Sequence, residues 1–214
     1  MNINKVYVLI LAFLSVLTLP SEAQNAGESL LDKTASKLEK DGGITMKLDV
    51  IIRDGLDSDR REITFDLYGK SFRSADEENT LWFDGKTLWR GSDFGSGIEE
   101  IYISEPLPDE MERFDILKML REHEGFEVTG NGRDTFILTS DNSENAVAGI
   151  QRVTVRVDPL SYILRSANVL FAEDLGGITA EITVLEYTPS RKFEKGTFIC
   201  PVKDFRDADI IDLR

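Results

Sequence analysis

Residues 44–52 read ITMKLDVII, and their alternation decides the fold: Ile44, Met46, Leu48, Val50 and Ile52 fall on one side of an extended chain, Thr45, Lys47 and Asp49 on the other. Successive side chains of a β-strand point to opposite faces, so this stretch reads as a strand with one buried and one wetted face. The pattern returns as Ile63, Phe65 and Leu67 against Thr64, Asp66 and Tyr68, and as Val153, Val155 and Val157 against Thr154, Arg156 and Asp158. Further strands are expected near 70–74, 80–83, 86–91, 98–104, 125–129, 133–140, 161–171, 178–187 and 196–200. The breakers Asp54-Gly55, Asp84-Gly85, Asn131-Gly132, Asp158-Pro159 and Gly176-Gly177 are short, as in antiparallel hairpins. The chain therefore predicts a mainly β fold, an up-and-down antiparallel meander of about eleven strands.

Helical spacing occurs in two places. From Glu28 to Lys40, Leu30, Leu31, Thr34, Ala35 and Leu38 share one face. Between Asp109 and Glu122, after the breaker Pro106-Leu107-Pro108, Met111, Phe114, Leu117, Met119 and Leu120 stand among acids and bases and predict a short apolar-faced helix. A closed barrel of about eight strands is already as wide as its own side chains can fill. A larger sheet needs other material in its middle, so the expected architecture is a strongly curved, unclosed β-barrel covered by an N-terminal helix and a short internal helix. No linker or internal repeat divides it, and Ser140 to Asn145 reads as a loop within one domain.

At the N-terminus, Lys5 precedes an apolar run from Val6 to Leu19, and Pro20-Ser21-Glu22-Ala23 supplies small residues around a cleavable bond. That run is 14 residues long, short of the roughly 20 of a spanning helix, so residues 1–23 read as a secretory signal peptide and 24–214 as the mature domain. Cleavage after Ala23 makes Gln24 the mature start; with no Cys there to carry acyl chains, the product is expected to be periplasmic and not membrane-anchored. The signal takes one charge of each sign with it, so the mature chain keeps the net −14. Such an acidic chain is no partner for nucleic acid, which recruits basic patches. Cys200 is the only cysteine, so no internal disulfide forms and stability rests on burial.

Catalytic chemistry finds little support, and no catalytic residue, metal ligand or cofactor is assigned. His123 is the only histidine and stands in the charged run Arg121-Glu122-His123-Glu124; a zinc site or a Ser-His-Asp triad would have to be built on it alone. The segment from Gly91 to Gly97 lacks the Lys-Ser/Thr end of a phosphate loop and reads as a flexible loop. Asp57, Asp59, Glu99 and Glu100 read as solvating charges. One enzyme alternative is a curved-sheet glycosidase using two carboxylates, with Trp82, Trp89 and Phe94 as sugar platforms.

An N-terminal helix opening a sheet, the hairpin Leu81-Trp82-Phe83-Asp84-Gly85-Lys86-Thr87-Leu88-Trp89 and the terminal Ile211-Asp212-Leu213-Arg214 occur in this order. Together they resemble the outer-membrane lipoprotein carrier family, of LolA type, over nearly the whole mature length. The resemblance implies a carrier that takes acylated lipoproteins from an inner-membrane ATP-driven releasing transporter and delivers them to an outer-membrane acceptor. It implies a monomer without enzymatic activity. The family commonly places an Arg after the strand preceding the hairpin to latch the lid; Tyr68-Gly69-Lys70-Ser71-Phe72-Arg73 offers no clean match.

On this reading the acyl-binding surface consists of Met46, Leu48, Val50, Ile52, Ile63, Phe65 and Leu67, with Leu81, Phe83 and Leu88 from one face of the hairpin. A two-residue turn at Asp84-Gly85 puts those three on one side and Trp82 and Trp89 on the other. Met111, Phe114, Leu117 and Leu120 form the lid, methionine being adaptable to irregular aliphatic guests. The same apolar positions equally suit an ordinary core, or a module that binds another lipid or hydrophobic small molecule.

Overall fold

The computed structural model describes residues 22–95, 97–106, 126–140, 150–171 and 177–214. The apolar run 6–19, the expected helix between Asp109 and Glu122 with its four lid residues, His123 and the loop 141–145 lie outside them. One helix, α1 (Glu22–Asp41), precedes β1 (Ile44–Asp54), β2 (Asp57–Tyr68), β3 (Ser71–Ala75), β4 (Asn79–Phe83), β5 (Leu88–Asp93) and β6 (Ile98–Ser104). There follow β7 (Phe126–Gly130), β8 (Thr135–Ser140), β9 (Ile150–Val157), β10 (Leu164–Phe171), β11 (Thr179–Thr188) and β12 (Asp209–Asp212).

The twelve strands among the described residues form one sheet in the order β12-β6-β5-β4-β3-β2-β1-β11-β10-β9-β8-β7. It consists of two antiparallel meanders, β1 to β6 and β7 to β11, joined where β1 pairs with β11. Turn chemistry sets the hairpins: Gly55 (φ +61) and Gly69 (φ +57) supply the left-handed residue that two-residue loops require. The sheet is strongly curved and its edges, β7 and β12, do not pair, so the unclosed barrel expected from the alternation is present.

Four local expectations are corrected. The segment 196–200 is a set of turns, not a strand: Gly196 sits at φ +101, and Thr197 and Ile199 donate back to the carbonyls of Glu194 and Gly196 at 3.2 and 3.0 Å. The twelfth strand comes instead from Asp209–Asp212, and it runs parallel to β6, so the sheet is not wholly antiparallel. The connection after Phe83 spans four residues, with Phe83 facing Leu88. There the Asp84 carboxylate accepts from the backbone N–H groups of Lys86 (2.9 Å) and Thr87 (2.8 Å), an Asx turn that outcompetes the two-residue form. Two added residues preserve the parity, so Leu81 and Phe83 still share one face and Trp82 and Trp89 the other. Gly91 to Asp93, expected as loop, belong to β5; a side chain at Gly91 would meet Ile98 and Trp82 within 3.2 Å.

The helix α1 packs on β7 and β8. Leu30, Leu31, Thr34, Ala35 and Leu38 are buried, the face that the helical spacing predicts, and the helix begins six residues before Glu28. Its close approach depends on Gly27, where a Cβ would lie 2.6 Å from the Thr129 backbone. Gly42, at φ +68, ends it, donating to the carbonyls of Leu38 and Glu39.

Candidate functional site

The concave face of the sheet is the candidate site, and strand register shows how it is assembled. Met46 faces Phe65, Phe65 faces Ser74, Ser74 faces Leu81 and Leu81 faces Arg90, a row crossing β1 to β5. A second row runs Ile44, Leu67, Phe72, Phe83 and Leu88. Period two then places Leu48, Val50, Ile52 and Ile63 on the same face. Met46, Leu48, Val50, Ile52, Ile63, Phe65, Leu67, Leu81 and Phe83 are all buried in one cluster, with Leu88 half-buried against it.

That cluster extends beyond the residues singled out in the sequence. Phe72 stacks between Phe65 (ring centroids 5.9 Å) and Phe83 (5.4 Å). Phe126, Val128, Phe136 and Leu138 bring in β7 and β8, and Leu31, Ala35 and Leu38 bring in α1. The alternation already marked Val153, Val155 and Val157 of β9 as one-sided, but only the curvature brings them, with Phe136 and Leu138 of β8, into one cluster with β1 and β2. Phe65 and Phe83 are each 1% exposed, so this face is covered, and a guest must part side chains that now touch one another.

The apolar face gives way to polar groups toward one side and one end. Across β3 to β6 it carries Ser74, Asn79, Ser92, Arg90, Tyr102 and Glu100. Arg90 lies over the Tyr102 ring (4.6 Å), and Tyr102 donates to Glu100 (3.2 Å). At the end of β2, Arg61 bonds Asp59 at 2.8 Å and pairs with Asp76 (3.4 Å) and Glu78 (2.8 Å). Burial works against the Arg61 charge, and these carboxylates more than offset it, holding the guanidinium above its ordinary pKa. Asp76 also accepts from the backbone N–H groups of Glu78 and Asn79, so the β3–β4 turn is fixed by the same carboxylate.

A second, smaller cluster lies on the opposite face. Trp82, Trp89, Ile101 and Ile103 are covered by Cys200, Val202, Phe205 and Ala208 from the C-terminal segment, with Trp82 and Phe205 at 6.3 Å between ring centroids. Burial pushes the Cys200 thiol up to about 12, away from the reactive thiolate. The tryptophan face of the hairpin is thus filled by the chain's own end, and these rings do not line the concave site. Elsewhere the convex face is wet, with Lys47, Arg53 and Arg60 paired to Glu186, Glu181 and Asp49.

The concave face offers dispersion and apolar area with a polar margin. Among the described residues no group of three or more His, Cys, Asp or Glu is placed to hold a metal ion, and no helix is long and apolar enough to cross a membrane.

The class these features define is an unclosed, strongly curved β-barrel with a buried apolar concave face. Its fold is similar to that of an uncharacterized conserved protein from Thermus thermophilus, at 11% identity over 86% of this chain and 97% of that one, with a TM-score of 0.53. A DUF1329 family protein from Desulfovibrio piger is similar at 9% identity, over 85% and 99% of the two chains, with a TM-score of 0.49. A LolA superfamily protein from Nitrosomonas europaea is similar at 12% identity, over 80% and 96%, with a TM-score of 0.40. No protein-family model and no curated protein sequence matches the chain.

Proposed function

We propose that the protein is a periplasmic carrier that takes the acyl chains of lipoproteins onto its concave face and moves them through water from the inner to the outer membrane. The observation that carries this reading is the contiguous apolar cluster on the inside of a sheet that does not close. Each buried methylene contributes about 0.8 kcal/mol, so several chains outweigh any few polar contacts. Because β7 and β12 share no hydrogen bonds, the two edges of the sheet can move relative to each other without breaking ladder bonds, which makes opening feasible.

On this proposal residues 1–23 are removed as a signal peptide, and 24–214 act as one monomeric, unanchored domain without catalytic activity. The Met111, Phe114, Leu117 and Leu120 segment serves as the lid, and the partners are a releasing transporter and an outer-membrane acceptor. The test is release of a triacylated lipoprotein from vesicles by the purified protein, followed by size exclusion. A soluble one-to-one complex is expected, and Leu117→Asp is expected to abolish it while the circular dichroism of the sheet is unchanged. Acylated cargo left in the vesicle or aggregate fraction would overturn the proposal.

A further inference from the structure

Among the described residues, two uncharged side chains on the concave face bury a polar atom that has no hydrogen-bond partner. Ser74 and Asn79 are each 2% exposed, and neither the Ser74 Oγ nor the Asn79 Nδ2 is satisfied. Burying a hydroxyl or an amide without a partner is destabilising, and such groups are few in native proteins. The remaining polar atoms of Asn79 are occupied: its N–H donates to Asp76 (2.7 Å), its carbonyl accepts from the Asp76 N–H (2.9 Å), and its Oδ1 accepts from the Ser92 hydroxyl (3.3 Å). Turning the amide over leaves one terminal atom unsatisfied in either orientation, because the Ser92 hydroxyl serves only one of them.

Both groups look the same way. Ser74 lies between Phe65 and Leu81 in the cross-strand row, and Asn79 is two residues from Leu81 on the same strand, hence on the same face. They are diagonal neighbours, close enough to converge on one small acceptor. On one side of them lie Phe65, Phe72 and Phe83; on the other, Asp76 and Glu78 already hold Arg61. The neighbouring cation, Arg90, is stacked on Tyr102. Two neutral donors backed by carboxylates suit a neutral acceptor better than an anion, and the adjoining phenylalanines suit hydrocarbon attached to it.

We infer that Ser74 and Asn79 form a polar subsite that hydrogen-bonds the ester carbonyl of an acyl chain, whose hydrocarbon then runs over Phe65, Phe72 and Phe83. This rests on the concave face being an acyl-binding surface, as proposed above, and adds that the face recognises the linkage as well as the tail. The carbonyl oxygen has two lone pairs and accepts from both donors, relieving in the complex the unsatisfied state of the free protein.

The test uses the mature protein with methyl palmitate labelled with carbon-13 at the carbonyl, hexadecane, and palmitate. Isotope-edited infrared spectra of the bound ester are expected to show the carbonyl band at lower frequency than in alkane solvent, and Ser74→Ala is expected to move it back toward the free position. Ser74→Ala is expected to weaken the ester about fivefold while leaving hexadecane unchanged. It is also expected to raise the Tm of the ligand-free protein by about 2–4 °C, because a buried hydroxyl without a partner is removed. A stabilising change that weakens one ligand is the signature of a binding group; a merely structural serine would lose stability and affinity together.

An unshifted carbonyl band in the wild-type protein, equal loss of ester and hexadecane, or tighter binding of palmitate than of the ester would each overturn the subsite. The infrared measurement needs no variant, so it decides even if Ser74→Ala fails to fold. If hexadecane and the ester both fail to bind, the acyl-binding reading itself falls, whereas hexadecane binding with no carbonyl preference removes only the subsite. Labelled diacylglycerol and a diacylated lipopeptide distinguish the ester's source: tighter lipopeptide binding assigns it to acylated protein and tighter diacylglycerol to membrane lipid, and a shifted band with either supports the subsite.

Discussion

Tyr187 donates to the Asp41 carboxylate at 2.7 Å, and Lys37 pairs with the same group, so the last turn of α1 is tied to β11 through a single acid. Burial, with the hydrogen bond and charge of Asp41, raises the Tyr187 pKa above the ordinary 10.0. The folded chain therefore keeps this phenol protonated where the unfolded chain loses its proton, so its contribution is whole below pH 10 and falls as the pH rises beyond it. Cys200, raised from 9.0 to about 12, acts in the same direction from pH 9 upward. Denaturant unfolding from about pH 8 to about pH 11 is expected to show this loss, and Tyr187→Phe is expected to flatten the part above pH 10 while costing about 1 kcal/mol at neutral pH. An unchanged slope in Tyr187→Phe would remove the tyrosine from the linkage. Phe65, 1% exposed, tests the core itself: Phe65→Ala is expected to destabilise by about 3–5 kcal/mol in the same assay. Residue burial on β1 and β2 was legible because period two is a local property. The Asp41–Tyr187 bond was not, since it joins groups 146 residues apart.

Elements were legible to the extent that their neighbours follow them in the chain. The α1 face and the β1–β2 hairpin rest on local spacing and a two-residue glycine turn, and both stand where the alternation puts them. The stretch containing Phe198, Ile199 and Cys200 looks equally extended, yet it turns at Gly196 and spends its apolar residue Cys200 on the far side of the hairpin. The reason is a contact with Trp82 and Trp89 that strand periodicity cannot reveal. As these are the only tryptophans, fluorescence reports on that docking alone. Phe205→Ala is expected to red-shift the emission and, because Phe205 is only partly buried, to cost less than the ~3–5 kcal/mol of a fully buried Phe→Ala change. Emission unchanged from the native protein would contradict the packing. At the other edge, Gly27→Val would drive a side chain into the Thr129 backbone. It is expected to cost about 1–3 kcal/mol and to raise amide hydrogen exchange in β7 before the sheet centre; uniform exchange would contradict a local role.

For the whole molecule, curvature is what brings the apolar faces of successive strands together into one enclosed surface, and the sequence implied it through a count of about eleven strands, more than side chains alone can fill in a closed barrel. The polar margin at Ser74, Asn79 and Ser92 was not legible, because small polar residues in a strand read as wet until register shows them facing Phe65 and Leu81. On the convex face Lys47, Arg53 and Arg60 are paired with Glu186, Glu181 and Asp49, and the chain as a whole carries a formal net charge of −14, which favours dispersal in water. Native mass spectrometry of the protein as purified from its own host tests the carrier account most directly. The account predicts a population one acylated polypeptide heavier than the chain starting near Gln24. The bare chain, or the chain with free lipid only, would contradict it.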